Sequence, residues 1–334
     1  MSANPTAVPF DINAAADLTD LSIQEIWIKS PADVKEYFRD YYYSEPVSDY
    51  IVKDSSLTSV STFGKIPENG NIPAGSPAQG FKQTYTQSFF AGMIRVTRPM
   101  WRYGVQARKL TQLVDEERKD AMRFRETVLA NVLNNATSTS YTETSGPFAY
   151  SVTNTGGDGV ALQSASHTRE DGGTNWANVI TDGTTNNMSF DYGAWKAALK
   201  TAQAIKGGVG EILDVAPDAI LVKKNSSAHF RAQEVLKSIE KGERPGTTNR
   251  DGSISASFEI RANPYLTSDT AWGAIDTNLI GPKFGLQYKE GMPLTMDPQF
   301  IDYDTKEIKY SIGCDFAYGF NDVRNLTWST GLNA

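Results

Sequence analysis

The sequence predicts an α+β protein that carries a two-stranded projecting arm. Three observations predict it. Two long strand-like stretches, residues 47–63 and 81–97, flank a tip rich in glycine and proline. A single run of helical period covers about residues 105–135. Beyond it, helix and strand patterns alternate over 190–280, and strand patterns dominate the close of the chain.

The chain has 334 residues, enough for about two domains and a sizeable core. Hydrophobic residues make up 40% and charged residues 21%, a composition that folds and excludes disorder over the whole chain. The net charge of −7 argues against a dedicated nucleic-acid binder, whose footprint is basic. It does not exclude a protein that sits beside nucleic acid. Cys314 is the one cysteine, so no intrachain disulfide can form. The first twenty residues have neither the basic nor the apolar region of a secretory signal, and no apolar stretch is long enough to span a bilayer. A soluble protein is expected.

Residues 1 to about 29 lack strong periodicity and read as an extended arm. "SPADVKEYFRDYYY" then reads as a helix. Ser30 suits the N-cap, Pro31 the first position, and Asp33 the positive helix end. Val34, Tyr37, Phe38 and Tyr41 fall on one helical face. That face packs either on its own domain, the reading the sequence favours, or on a neighbour.

In the hairpin, Phe81, Tyr85, Phe89 and Met93 share one face of the returning strand, and Lys82, Thr84, Thr86 and Ser88 share the other. Each strand would reach roughly 50 Å at about 3.3 Å per residue, where ordinary strands have about five or six residues. The tip, "GKIPENGNIPAGSPAQG", has four glycines, three prolines and only two charges, Lys65 and Glu68. It cannot build a core. An isolated two-stranded hairpin is marginal in water, so its aromatic stripe needs a cover. Either the hairpin folds back on its own core, or it rests on another molecule and the tip adapts to what it meets.

From Thr97 the period changes. Leu110, Leu113, Val114, Ala121, Phe124, Val128 and Val132 recur at three and four, and Asp115 with Lys119 and Asp120 with Arg123 can pair along the wet face. The helix would span on the order of 45 Å. "NNATSTS" ends it, and residues 137–189 read as loop-rich. Residues 190–206 form a helix with Trp195, Leu199, Ala202 and Ile205 inward, ended by Gly207. "DAILV" is a short buried strand. The next helix opens at Ser226 or Ser227 and closes at Gly242. "SFEIRANPYLTSDTAWGAID" gives two strands interrupted at Pro264, and "EIKYSIGCDFAYGF" is the longest alternating run of the C-terminal strands.

Catalytic signals are thin. His167 sits among Ser164, Ser166, Arg169 and Asp171, but a Ser–His–Asp triad is a geometry and not a composition. His229 lies on a helix. A zinc site needs more Cys and His than the chain holds. "GGVG" and "GGDG" lack the strand–GxGxxG–helix setting, no phosphate loop is present, and "DGTTNNMSFD" lacks calcium-loop spacing. The aromatics do not alternate with basic residues as a stacking platform would. No catalytic, cofactor or metal residue is assigned.

The order of parts, and several motifs within it, resemble the major capsid proteins of tailed phages, with the HK97-like fold. "MIRVTRPMWRYG" resembles that family's passage from the returning hairpin strand into its spine helix. "DGVALQSASHTREDGGTNWAN" is similar to the loop after the spine, with Gln163 where the family has an aromatic and Thr168 where it has proline. "APDAILVKKNSSAHFRAQEVLKS" resembles the strand and helix of the axial domain, and "ANPYLTSDTAWGAID" and "GLQYKEGMPLTMD" the strands that follow. The resemblance covers roughly residues 45–330.

It implies an N-terminal arm over 1–46, an E-loop hairpin over 47–97, a peripheral (P) domain with the spine helix over 98–189, an axial (A) domain over 190–280, and closing A/P strands over 281–334. It implies a non-enzymatic shell subunit, without cofactor or membrane contact, that assembles into hexamers and pentamers of an icosahedral phage head around double-stranded DNA read without sequence specificity. The expected location is the virion, with the host cytoplasm during assembly. A portal and a separate scaffolding protein are expected partners, since no long scaffolding segment precedes the arm. The residues expected to touch neighbouring subunits are Lys65, Phe81, Tyr85, Phe89, Met93, Tyr37, Phe38 and Tyr41. Lys65 lies where some members carry a lysine that cross-links to a neighbour's asparagine, although no asparagine or carboxylate partner aligns. Alternatives are an encapsulin-type compartment shell, a Ser/His hydrolase with a β-rich accessory hairpin, and an adhesive tail protein.

Overall fold

The computed structural model describes residues 27, 34–57, 64–66, 68, 70–72, 79–97, 99, 107–145, 148–240 and 258–331. In chain order these form β1 (Tyr42–Pro46), β2 (Ile51–Leu57), β3 (Gln79–Thr86), β4 (Ser88–Val96), α1 (Ala107–Asn134), β5 (Ser140–Ser145) and β6 (Phe148–Thr153). There follow α2 (Tyr192–Ala204), β7 (Ala219–Lys223), α3 (Ser227–Glu240), β8 (Glu259–Asn263), β9 (Trp272–Ile275), β10 (Leu286–Met296), β11 (Phe300–Ile301), β12 (Ile308–Phe320) and β13 (Leu326–Ser329).

Two compact units divide the chain. The first falls within Met1–Glu36, Gln87–Arg125 and Glu290–Phe316, and the second within Tyr37–Thr86, Glu126–Lys289 and Ala317–Ala334. In the first unit, β4 runs antiparallel to β12, from Ile308 opposite Val96 to Phe316 opposite Ser88. β11 turns back on β12 as a short hairpin. Ile94, Val96, Val114, Ile308, Tyr310 and Ile312 form the core, with Trp27, Leu294, Met296 and Ile301 packed against it. Phe90 stacks on Phe316 at 4.5 Å and meets Phe124 of α1 at 5.5 Å. The Arg118 guanidinium lies over the Trp27 ring and donates to its carbonyl at 2.7 Å.

The second unit centres on a four-stranded sheet of order β13-β9-β7-β8. β7 is apolar and almost wholly buried, as a strand covered on both faces must be. It pairs parallel to β8, the two joined through α3, and antiparallel to β9. Trp195, Ala198, Ile220, Val222, Phe258 and Trp272 belong to the core beside it. The Asp191 carboxylate accepts the Ala194 N–H at 2.6 Å and starts α2, while the Ser226 hydroxyl accepts the His229 N–H at 3.1 Å and starts α3. Two separate two-stranded sheets, β2–β3 and β5–β6, also belong to this unit.

α1 matches the long helix predicted over about 105–135, and the Lys119–Asp115 and Arg123–Asp120 pairs form at 2.7 and 2.8 Å. Its last turns are buried on almost every side, from Val128 to Leu133. Buried carbonyls at a helix end need donors. Asn154 supplies them, reaching the Val132 and Asn135 oxygens at 3.3 and 2.8 Å.

Three expectations are corrected. The described part of "SPADVKEYFRDYYY" holds no α-helix: Phe38–Asp40 is a single 3-10 turn, and β1 follows. Aromatic residues favour extended backbone where their rings can pack, and Phe38, Tyr41 and Tyr42 are all buried. Its predicted cap, Ser30 to Asp33, lies outside the described residues. The loop-rich reading of 137–189 does not mark β5 and β6, which pair from Ser140 opposite Thr153 to Ser145 opposite Phe148. Leu113, assigned to the inner face of the spine, is exposed. Gly242, the predicted end of α3, lies outside the described residues. So do 58–63 of the outgoing hairpin strand and 73–78 of the tip.

Candidate subunit-contact surface

The hairpin is built by β2 and β3, antiparallel with Ile51 opposite Thr86 and Lys53 opposite Thr84, and with a register shift between Ser55 and Leu57. Along β3 the odd positions point inward: Phe81 is half-buried and Tyr85 is only 2% exposed. At Gln87 the strand breaks. Ser88 and Phe89 are both exposed, and from there the even positions point inward. A slip of one residue exchanges the faces of a strand. The predicted common stripe is therefore two half-stripes. Phe81 and Tyr85 face their own fold, while Phe89 is 62% and Met93 44% exposed.

The inward half is closely covered. A Cβ on Gly157 would sit 2.7 Å from that of Phe81, so only glycine admits the strand there. Gly319, at φ +152°, lies beneath the Tyr85 ring, and a Cβ there would be 3.3 Å from it. Gln83 donates to the Thr155 carbonyl at 3.0 Å. Lys289 of β10, 1% exposed, lies 2.6 Å from the Glu45 carboxylate of β1 and 3.1 Å from that of Asp54 of β2. Its ammonium also lies within 6 Å of the Tyr43 and Tyr85 ring centres, at 5.9 and 5.8 Å. Burial alone would lower its pKa. The two carboxylates outweigh that and hold it above the ordinary lysine value.

Of the other predicted contact residues, Lys65 is exposed in the tip, as are Ile66 and Ile72, the latter 80% exposed. Tyr37 is half-buried, edge-on to Tyr265. Phe38 and Tyr41 are fully buried in their own unit. The Phe38 ring packs 4.9 Å from Tyr288, and the Tyr41 hydroxyl accepts from Asn263 at 2.7 Å. Burial thus removes Phe38, Tyr41 and Tyr85 from the exposed set. Lys65, Phe89 and Met93 remain open, and Phe81 and Tyr37 partly so. Sequence reasoning missed Lys289, Glu45 and Asp54. A lysine inside the strand "LQYK" was the one available sign, and its partners lie more than two hundred residues away.

A second polar cluster occupies the loop after β6. His167 stacks on Trp176 at 4.3 Å, its Nδ1 2.8 Å from Asp158 and its Nε2 3.3 Å from the Asn178 oxygen. Neither nitrogen faces a serine hydroxyl. Ser164 Oγ accepts from the Ser166 N–H, and Ser166 Oγ accepts from Asn175. The nucleophile–base contact of a hydrolytic triad is therefore not built here. His229 Nδ1 accepts the Asn225 N–H. Arg324, 2% exposed, is held by Glu170 at 2.8 Å and Asp322 at 2.5 Å. Burial pushes the Asp322 carboxyl up to about 6 in spite of Arg324. Among the described residues no group of His, Cys, Asp and Glu is arranged to hold a metal, and no helix is long and apolar enough to cross a membrane.

No curated protein matches the chain. Residues 81–329 match the family model described as phage capsid protein. Among solved structures, a chain from Mycobacterium phage Patience superposes with a TM-score of 0.50 at 12% identity, covering 97% of this chain and 89% of that one. At that identity the likeness speaks for the fold alone. Weaker matches include the procapsid of bacteriophage JBD30, with a TM-score of 0.42, 12% identity, and 96% of this chain against 76% of that one. A virus-like particle from Pyrococcus furiosus gives a TM-score of 0.45, 8% identity, and 94% of this chain against 98% of that one.

Proposed function

We propose, from the premise that this chain belongs to the phage capsid protein family and has the α+β HK97-like fold of tailed-phage major capsid proteins, that it builds the icosahedral head of a phage. As a family member it is a structural protein and not an enzyme. The observation that carries the reading is the family match, which runs from the hairpin's returning strand to the last strand of the chain. In this proposal the head is assembled from hexamers and pentamers and encloses double-stranded DNA without reading its sequence. Residues 1–46 act as the N-terminal arm, 47–97 as the E-loop, 98–189 as the P-domain with α1 as its spine, 190–280 as the A-domain, and 281–334 as closing strands. A scaffolding protein and a portal join during assembly in the host cytoplasm, and the finished protein resides in the virion.

The exposed half-stripe supports an inter-subunit role. Phe89 and Met93 present large apolar side chains on the outward face of β4, and Ile66 and Ile72 in the tip are exposed as well. Head-to-tail contacts of this kind close into rings when the rotation permits. Each contact is weak alone, and many linked contacts hold the shell. Electron microscopy of the purified full-length protein, with light scattering across a concentration series, tests the reading. Closed shells or ring-shaped capsomers are expected. A protein that stays monomeric at every concentration, or forms only fibres, would overturn it.

A further inference from the structure

We infer that Lys289 is a positioning residue, a latch that fixes the direction in which the hairpin leaves its unit. The inference rests on reading that hairpin as an inter-subunit arm. The β2–β3 sheet has no backbone ladder to any other sheet among the described residues. Beyond the chain's own continuity with β1 and β4, side chains therefore set its direction. Phe81 against Gly157 and Gln83 to the Thr155 carbonyl are neutral ties along β3. Lys289 adds the charged tie at the hairpin's base. From β10 it reaches one carboxylate on β1 and one on β2, and its ammonium lies close to an aromatic ring on β1 and another on β3. One side chain of β10 thus bears on β1, β2 and β3, all far from it in sequence.

Geometry makes this tie directional. A buried ammonium is costly unless its partners stay close, so displacing Asp54 leaves the charge uncompensated. Glu45 and Asp54 are 42% and 30% exposed at their side chains, whereas Lys289 is 1% exposed. The lysine is the fixed element, and the carboxylates are the ones that can leave it. Swinging the hairpin away from its base would separate Asp54 from Lys289 while β1 keeps Glu45. Small changes in the angle of such an arm move its tip by many ångströms.

The experiment compares full-length wild type, Lys289→Met and Lys289→Arg by hydrogen–deuterium exchange in unassembled protein and by electron microscopy after assembly. Lys289→Met is expected to speed exchange in β2 and β3 by about tenfold or more while β7 and β9 keep wild-type protection. It should also give shells of mixed size or open sheets. Lys289→Arg, which keeps the charge and can bind both carboxylates, should restore slow exchange and uniform shells. Unchanged exchange in Lys289→Met overturns the latch. Faster exchange with uniform shells overturns its positioning role. Faster exchange in a protein whose wild type forms no shell leaves the latch standing and removes the shell reading. Should Lys289→Met fail to fold, Glu45→Gln with Asp54→Asn weakens the same tie from its exposed side and is read in the same way.

Discussion

Alanine at Tyr85 and alanine at Phe89 should have opposite consequences, although the two residues are four apart in one strand-like run. Tyr85 is 2% exposed and lies over Gly319, so Tyr85→Ala opens a cavity and should cost the fold about 3–5 kcal/mol. Phe89 is 62% exposed. Of a side-chain surface of roughly 200 Å², only about 80 Å² is covered by its own chain, which puts the folding cost of Phe89→Ala near 2 kcal/mol. The remaining open area, about 120 Å², would contribute about 3 kcal/mol per subunit once a neighbour covers it. Losing that contact should raise the protein concentration needed for shells by about 100-fold. Urea unfolding of unassembled protein measures the first quantity, and light scattering with electron microscopy measures the second. Tyr85→Ala should be the less stable variant by about 2 kcal/mol, and Phe89→Ala the poorer assembler. Equal losses in urea, or wild-type assembly by Phe89→Ala, would refute the exchange of faces at Gln87 as the reason.

Asp322 gives a pH signature. Burial raises its carboxyl from 3.8 to about 6, so between those values the folded chain holds a proton that the unfolded chain has released. Its contribution to stability is thus present at low pH and lost as pH rises through about 6. Asp322→Asn removes this dependence, and between pH 4 and 7 wild type should lose on the order of 3 kcal/mol more than the variant; parallel urea-stability curves would count against it. Cys314 is buried, and burial pushes its thiol up to about 11. A thiol-specific chromogenic reagent at pH 8 should leave it unlabelled in native protein and label it after unfolding, whereas rapid native labelling would contradict its placement. Asn154→Ala leaves the Val132 and Asn135 carbonyls without their side-chain donor and should cost about 1–3 kcal/mol in urea unfolding. A loss within measurement error would mean that other donors satisfy them.

Elements whose period is set by their own residues were legible. The spine run from Val114 through Phe124 to Val132 marks a helix wherever it packs, and α1 follows it. Trp195, Ala202 and Ile205 lie inward as the helical spacing requires, and β12 is the longest strand among the described residues, as its alternation implied. The aromatic run at 37–43 misled because its apolar spacing fits a helix as well as a turn entering a strand. Phe38, Tyr41 and Tyr42 are held by Glu126, Asn263 and Leu129, partners far along the chain. The β5–β6 pair was missed because Ser and Thr punctuate loops and also sit comfortably in strands.

The contact surface divides along the same line. By itself the sequence determined that a hairpin with a Gly/Pro tip precedes a long helix, that the chain is acidic with a lone cysteine, and that its arrangement resembles a capsid subunit. Only the tertiary structure decided which rings of that hairpin face home and which face outward. A one-residue break at Gln87 inverts the alternation, and no periodicity can show this. It also decided that Lys289 meets Glu45 and Asp54. Local sequence fixes the backbone conformations a segment favours, but burial and charge pairing depend on which distant segments fold against it.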